Sequence, residues 1–124
     1  MLTLTTEQAE QLRKGLIEYP EVLRALEEID DCDGDVEDAA VSLAIAAGLE
    51  PDNSDGWLES FTKRFRPTIC ELLTQSSASD IGLNSLIHHI AGNTSCPPLM
   101  VLPVAIAAHR QGLDSFCASL SEKL

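Results

Sequence analysis

The sequence predicts an all-α protein: one compact bundle, orthogonal or irregular, of six to eight short helices in a single domain over residues 1–124. Three observations carry this. Apolar side chains recur every three to four positions, the spacing that places them on one face of a helix. Pro, Gly and Asp interrupt that pattern at short intervals, which keeps the helices short. The interior must be built from Leu, Ile, Val and Ala, because only Tyr19, Trp57, Phe61, Phe65 and Phe116 are aromatic. Small aliphatic side chains suit closely packed helices. At 124 residues, 44% of them apolar, the chain can bury a core without metal or disulfides.

Thr5 and Gln8 stand at capping-box spacing, and Leu12, Leu16 and Tyr19 then share one face of a first helix. Pro20 ends it and is suited to the first position of a second. Val22, Leu23, Leu26 and Ile29 form the buried stripe of that helix, with Arg24, Glu27, Glu28 and Asp31 outside. Residues 31–35 read as a turn, and Asp33 or Asp35 caps a third helix. Its inner face is Val36, Ala39, Ala40, Leu43, Ala44 and Ala47, closed by Gly48.

Residues 51–56 are the strongest loop signal. Trp57, Leu58, Phe61 and Phe65 follow at helical spacing, capped by Ser54, and are expected to anchor the core. Pro67 disfavours helical geometry at Arg66, so a break is expected there. Ile69, Leu72 and Leu73 continue as a fifth helix. Ser79 or Asp80 caps a sixth, with Leu83, Leu86, Ile87 and Ile90 inside and Gly92 and Asn93 at its end. Pro97 and Pro98 start a seventh, closed by Gly112. Pro103 should kink or split it, and residues 99–102 are open to a short strand instead. Asp114 caps a last helix.

The net charge of −12 is unevenly placed: residues 1–62 hold 16 acids and 3 bases, residues 63–124 hold 4 acids and 5 bases. Residues 27–38 carry eight carboxylates and no base. Such a field repels nucleic acid and anionic membrane and favours a basic partner. Lys63, Arg64 and Arg66 are the basic cluster, expected to pair with the acidic second or third helix. The acidity also suits a bacterial-type protein held in solution. No apolar run reaches the length of a membrane span, and the N-terminus lacks a signal-peptide pattern, so a cytoplasmic location is expected. Cys32, Cys70, Cys96 and Cys117 contain no CxxC pair, and free thiols are expected.

Chemistry is sparsely signalled. Asp31, Asp33 and Asp35 match the first, third and fifth positions of a calcium loop. Val36 then replaces the sharp-turn Gly, and Ser42 replaces the bidentate Glu. His88, His89, His109 and the cysteines lack the close ligand pairs of structural zinc, so no metal and no cofactor is expected. The best catalytic candidates are Cys96, placed before a helix start that would lower its pKa, and His88 or His89 as its base.

Residues 19–46, with their core Asp33-Gly34-Asp35-Val36-Glu37-Asp38-Ala39-Ala40, resemble the first two helices and loop of the ubiquitin-associated (UBA-like) module. That family opens its second helix on a similar Gly-Asn/Asp-Val/Ile-Glu-x-Ala pattern. The resemblance implies a helical pair with a protein-binding role. The family's Met-Gly-Phe/Tyr binding loop has only Glu18-Tyr19-Pro20 opposite it, so ubiquitin binding is not carried over.

The function expected from these features is protein–protein interaction, as an adaptor, regulatory or assembly domain without catalysis. Its binding residues are expected to be Glu27, Glu28, Asp31, Asp35 and Asp38, facing a basic protein partner; self-association stays open. The alternatives are a small cysteine/histidine enzyme, or a small-ligand carrier with an apolar pocket between residues 83–90 and 99–106.

Overall fold

The computed structural model describes residues 2–16, 18–51, 56–77 and 80–122, with side chains described as far as residue 118. Its first helix, α1 (Thr6–Gly15), opens on the expected capping box: the Thr5 hydroxyl accepts from Gln8 N–H and the Gln8 side chain accepts from Thr5 N–H. It stops at Gly15, so Tyr19 lies beyond it, while Leu12 and Leu16 are buried. The helix α2 (Pro20–Asp31) starts with Pro20 in its first turn, where a missing N–H has no helical partner to lose. Val22, Ala25, Leu26 and Ile29 are its buried stripe, with Leu23 half-buried at the margin.

The link to α3 (Val36–Ala46) is a tight turn with Asp33 at φ 56° and Gly34 at φ 84°. Gly34 N–H closes back onto Ile29 C=O at 2.8 Å, and the Asp35 carboxylate caps α3 by accepting from Asp38 N–H. A contact the spacing did not foretell secures this turn. Leu4 N–H donates to Gly34 C=O at 2.8 Å and Val36 N–H donates to Leu2 C=O at 3.0 Å, an isolated bridge between Thr3 and Asp35. A β-carbon on Gly34 would sit 2.5 Å from the Leu4 carbonyl oxygen, which is backbone and cannot swing aside. Gly34→Ala is therefore expected to lower stability by about 1–3 kcal/mol, combining left-handed strain with loss of the bridge. Chemical denaturation checks this; a change smaller than the error of the extrapolation would show that the N-terminal segment does not depend on this contact.

At its other end α3 closes with Gly48 at φ 84°, Gly48 N–H to Ile45 C=O and Leu49 N–H to Ala44 C=O, a Schellman motif. Val36, Ala39, Ala40, Leu43 and Ala44 face inward as the spacing predicts. The expected Ser54 cap lies outside the described residues. Beyond it, α4 (Trp57–Thr62) tightens into a 3₁₀ turn at Lys63–Phe65, continues as α5 (Arg66–Cys70) and ends in a second 3₁₀ turn at Glu71–Thr74. The expected break at Arg66 falls earlier. Arg66 is itself helical (φ −53°, ψ −48°), and Pro67 sits in the first turn of α5, where proline is tolerated.

The helix α6 (Leu83–Asn93) has Gly82 at its N-cap and no side-chain cap; the Asp80 carboxylate instead accepts from the Ser77 hydroxyl. Ser79, the other expected cap, lies outside the described residues. Residues 99–102 are not a strand. A 3₁₀ turn at Pro98–Met100 runs into α7 (Val101–Gln111), and Gly112 at φ 88° separates it from α8 (Leu113–Glu122). Pro103 does not interrupt α7: it is the third residue, in the first turn, where a missing N–H costs the helix least. Asp114 lies in the first turn of α8 rather than at its cap.

The architecture is an irregular all-α bundle, with no strand among the described residues. Its axis is α7, which touches α2, α3, α4, α6 and α8. Val101, Leu102, Val104, Ala105, Ile106 and Ala108 are buried on it, so the helix is apolar nearly all round, as a central helix must be. The expected aromatic anchor is peripheral by comparison. Phe61 is buried, but Trp57 and Phe65 are half-buried beside it, and the fully enclosed ring is Phe116 on α8. Cys70 and Cys117 are joined in a disulfide, with Cα atoms 5.9 Å apart, which ties α5 to α8. This corrects the expectation of four free thiols; Cys32 and Cys96 stay free. The pairing was invisible in the sequence because the two positions are 47 residues apart and meet only through tertiary packing. No helix among the described residues is long and apolar enough to cross a membrane.

Candidate interaction surface

The turn between α2 and α3 brings most of the expected acidic set to one end of the helix pair. Glu27, Asp31 and Asp38 are exposed, and Glu28 and Asp35 are half-buried. Four of the five converge on Cys32. Its thiol is pushed above its ordinary pKa by burial first, then by the charges of Asp38, Glu28, Asp35 and Asp31. The thiol lies 3.9 Å from a Glu28 carboxylate oxygen. Glu27 is not among the carboxylates acting on it. The sequence pointed to the acids but not to the half-buried cysteine at their centre.

This charge is poorly compensated. Among the described residues, none of the five carboxylates has a cation within ion-pair distance; the nearby pair is Arg13 with Asp30, at 3.2 Å. The last turn of α2 holds acids and no base, so its carboxylates add to the negative end of the helix dipole. At the start of α3 the sign is favourable, and Glu37 and Asp38 sit where a helix N-terminus welcomes anions. The calcium alternative gains nothing from this geometry: among the described residues no three His, Cys, Asp or Glu side chains come together as a metal site.

The catalytic candidates do not assemble. Cys96 is 7% exposed, and its thiol donates to the Pro97 carbonyl at 3.6 Å. Burial pushes its pKa up to about 12, opposite to the expected lowering. The helix start meant to activate it does not offset this burial: a 3₁₀ turn at Pro98–Met100 stands between Cys96 and the first residue of α7, and the dipole's effect falls off within one turn. His89 Nε2–H donates to Thr68 C=O at 2.8 Å, which leaves Nδ1 to accept from the Asn93 amide at 3.3 Å. His88 Nδ1 lies 2.8 Å from Tyr19 Oη, with the rings edge to face, and 3.7 Å from a Glu18 carboxylate oxygen. Neither imidazole hydrogen-bonds to Cys96.

Cys96 also carries a pH prediction. Its raised folded pKa means the thiol stays protonated in the native chain while the unfolded thiol ionises from about 9 upward. The stability it contributes is whole below pH 9 and is lost as pH rises toward 12. The expected result is a decline across that window that is shallower in Cys96→Ala. Denaturant titrations at stepped pH measure it, and parallel profiles for the two proteins would contradict it.

The basic cluster is not turned toward the acidic helices. Lys63 pairs with Glu59 on its own helix at 3.8 Å; Arg64 lies over the Phe61 ring and Arg66 over the Phe116 ring, 5.2 and 5.1 Å from the centroids. Arginine stacks on aromatic faces because its flat guanidinium is weakly hydrated. The apolar space expected between α6 and α7 is closed along much of its length by Leu86, Ile87, Ile90 and Leu102, all of them buried, and is open at the end bordered by Leu83 and Ile106. A cavity of about 560 Å³ opens beyond that seam, where α1 meets the start of α6 and the end of α7.

Compared with known protein families, characterised proteins and solved structures, the chain matches none.

Proposed function

We propose that this chain is a protein–protein interaction domain without catalytic chemistry of its own, which docks a basic partner through the acidic end of the α2–α3 pair. The observation that carries this reading is the uncompensated charge there. Glu28 and Asp31 stand at the negative end of a helix, where carboxylates oppose folding, and among the described residues no cation pairs with them. An arrangement that weakens the isolated chain favours association with a surface of opposite sign. The likeness of residues 19–46 to a protein-binding helical module points the same way. The buried, weakly acidic Cys96 thiol and the separately engaged imidazoles argue against the enzyme alternative.

The test replaces Glu27, Glu28, Asp31, Asp35 and Asp38 by Gln or Asn. Folding is expected to survive, because charge removal relieves the end of α2 while it weakens the start of α3, and Asp35→Asn keeps a side-chain oxygen that can cap. Capture of the partner from native-cell extract is expected to be strong at low salt and to fall as salt rises. It should be lost in the five-fold variant. Capture that is equal for both proteins, or indifferent to salt, overturns the reading.

A cytoplasmic setting belongs to the same reading, and the Cys70–Cys117 bridge tests it, since disulfides persist mainly in oxidising compartments. Alkylation in intact cells followed by mass measurement decides it: both cysteines found as thiols would support that setting. A bridge that survives rapid alkylation would place the chain elsewhere.

A further inference from the structure

The cavity at the junction of α1, α6 and α7 has a composition at odds with the rest of the molecule. The chain carries −12, yet among the described residues no carboxylate lines this space. Its apolar wall is Leu4, Leu12, Leu83 and Ile106. Its polar side holds the Arg110 guanidinium and the His109 imidazole from the last turn of α7, with the amides of Gln8, Gln11 and Asn84. At about 560 Å³ it falls within the range of small-molecule sites, roughly 300–1,000 Å³.

Arg110 is held in place without being neutralised. Its Nη2 donates to Thr3 C=O at 2.6 Å and to Gln8 Oε1 at 3.3 Å, which tethers the guanidinium to the N-terminal segment and α1. Gln8 is itself fixed by the capping box of α1. Among the described residues no carboxylate comes within ion-pair distance of Arg110, and its Nη1 and Nε donate to no protein group. Glu37 and Glu59 line a separate hollow that Arg110 also borders, and neither reaches it as an ion pair. The guanidinium therefore keeps its Nη1 and Nε donors for a single-point, charge-assisted hydrogen bond to a carboxylate, while Nη2, which both of its two-point edges share, is engaged by Thr3 and Gln8. The first turn of α6, which lacks a side-chain cap, borders the same space at Gly82, Leu83 and Asn84 and adds a field of the same sign.

We propose that this cavity is a binding site for a small amphipathic organic acid, its carboxylate on Arg110 and its apolar body against Leu4, Leu12, Leu83 and Ile106. This site is independent of the acidic surface on α2 and α3, and a carboxylate ligand would be repelled by that surface.

Titration with octanoate, followed through methyl resonances, tests the proposal. Saturable shifts are expected at Leu4, Leu12, Leu83 and Ile106. Octanamide, of the same length but uncharged, is expected to bind about tenfold more weakly, the usual worth of a charge-assisted pair. Arg110→Gln should weaken octanoate by a similar factor and leave octanamide unchanged. Because Arg110 also tethers Thr3, Arg110→Lys retains the charge and Leu83→Gln alters only the apolar wall; both should weaken octanoate in a folded chain. The five-fold acid-to-amide variant should bind octanoate undiminished, so failure of the interaction reading and failure of this one are told apart. Absence of saturable shifts at these methyls overturns the proposal. So does equal binding of acid and amide. An N-acetylated dileucine with a free carboxylate that binds where octanoate does not would also overturn it, in favour of a peptide terminus.

Discussion

Phe116→Ala is expected to lower the unfolding free energy by about 3–5 kcal/mol, the usual range for deleting an enclosed ring. The side chain is 1% exposed and is the largest fully buried one among the described residues. It sits on α8, which packs on both α5 and α7, so its removal opens a void at the meeting of three helices. The Arg66 guanidinium lies over the ring at 5.1 Å, and Arg66 Nε is buried without a hydrogen-bond partner. Removing the ring takes away the face that compensates this cation. The disulfide at the adjacent Cys117 holds the α8 backbone against α5 and limits collapse into the void. Urea titration measures the loss. A cost under about 1 kcal/mol would mean the site collapses freely and the ring is not a keystone.

Opening the Cys70–Cys117 bridge is expected to have an effect of similar size. A cross-link that closes 47 residues restricts the unfolded chain, and loop-closure entropy values this at about 4 kcal/mol. For a chain of 124 residues that corresponds to a fall in Tm of about 15 °C. The double variant Cys70→Ser, Cys117→Ser and the wild type under reductant should melt together, both below the oxidised protein. The native helical content should be unchanged, because Phe116, Ile69 and the α7 core remain. Equal melting temperatures with and without reductant would show that the bridge does not constrain the unfolded chain.

Much of the local structure was legible because its causes are local. The Thr5/Gln8 capping box, Pro20 at the start of α2, the Asp35 cap and the Gly48 and Gly112 stops each depend on residues within one turn of one another. Pro103 misled for a positional reason. Whether a proline breaks a helix depends on how far inside it lies, and the sequence did not show that α7 begins only two residues earlier. Trp57 and Phe65 misled by size. Large rings suggest a centre, but α4 lies to one side of α7 and buries fully only its inward face. The acidic candidates could be read as a contiguous run. The groove at Arg110 could be read only in part: Leu83 and Ile106 lie in the two stretches expected to border an apolar pocket, but Leu4, Gln8 and Leu12 join them only through tertiary packing.

By itself the sequence determined the fold class, the main helix starts and stops, and most of the inward stripes of α1, α2, α3 and α6, since apolar periodicity and caps act over three or four residues. It also determined the charge asymmetry, which is a matter of counting. Only the tertiary structure decided that α7 is the axis, that Cys70 meets Cys117, that residues 2–4 pair with the turn at Gly34, and that Arg110 borders the cavity between α1, α6 and α7. Each of these joins residues dozens of positions apart. Packing of whole helices chooses such contacts, and a preference that extends one turn along the chain carries no information about them.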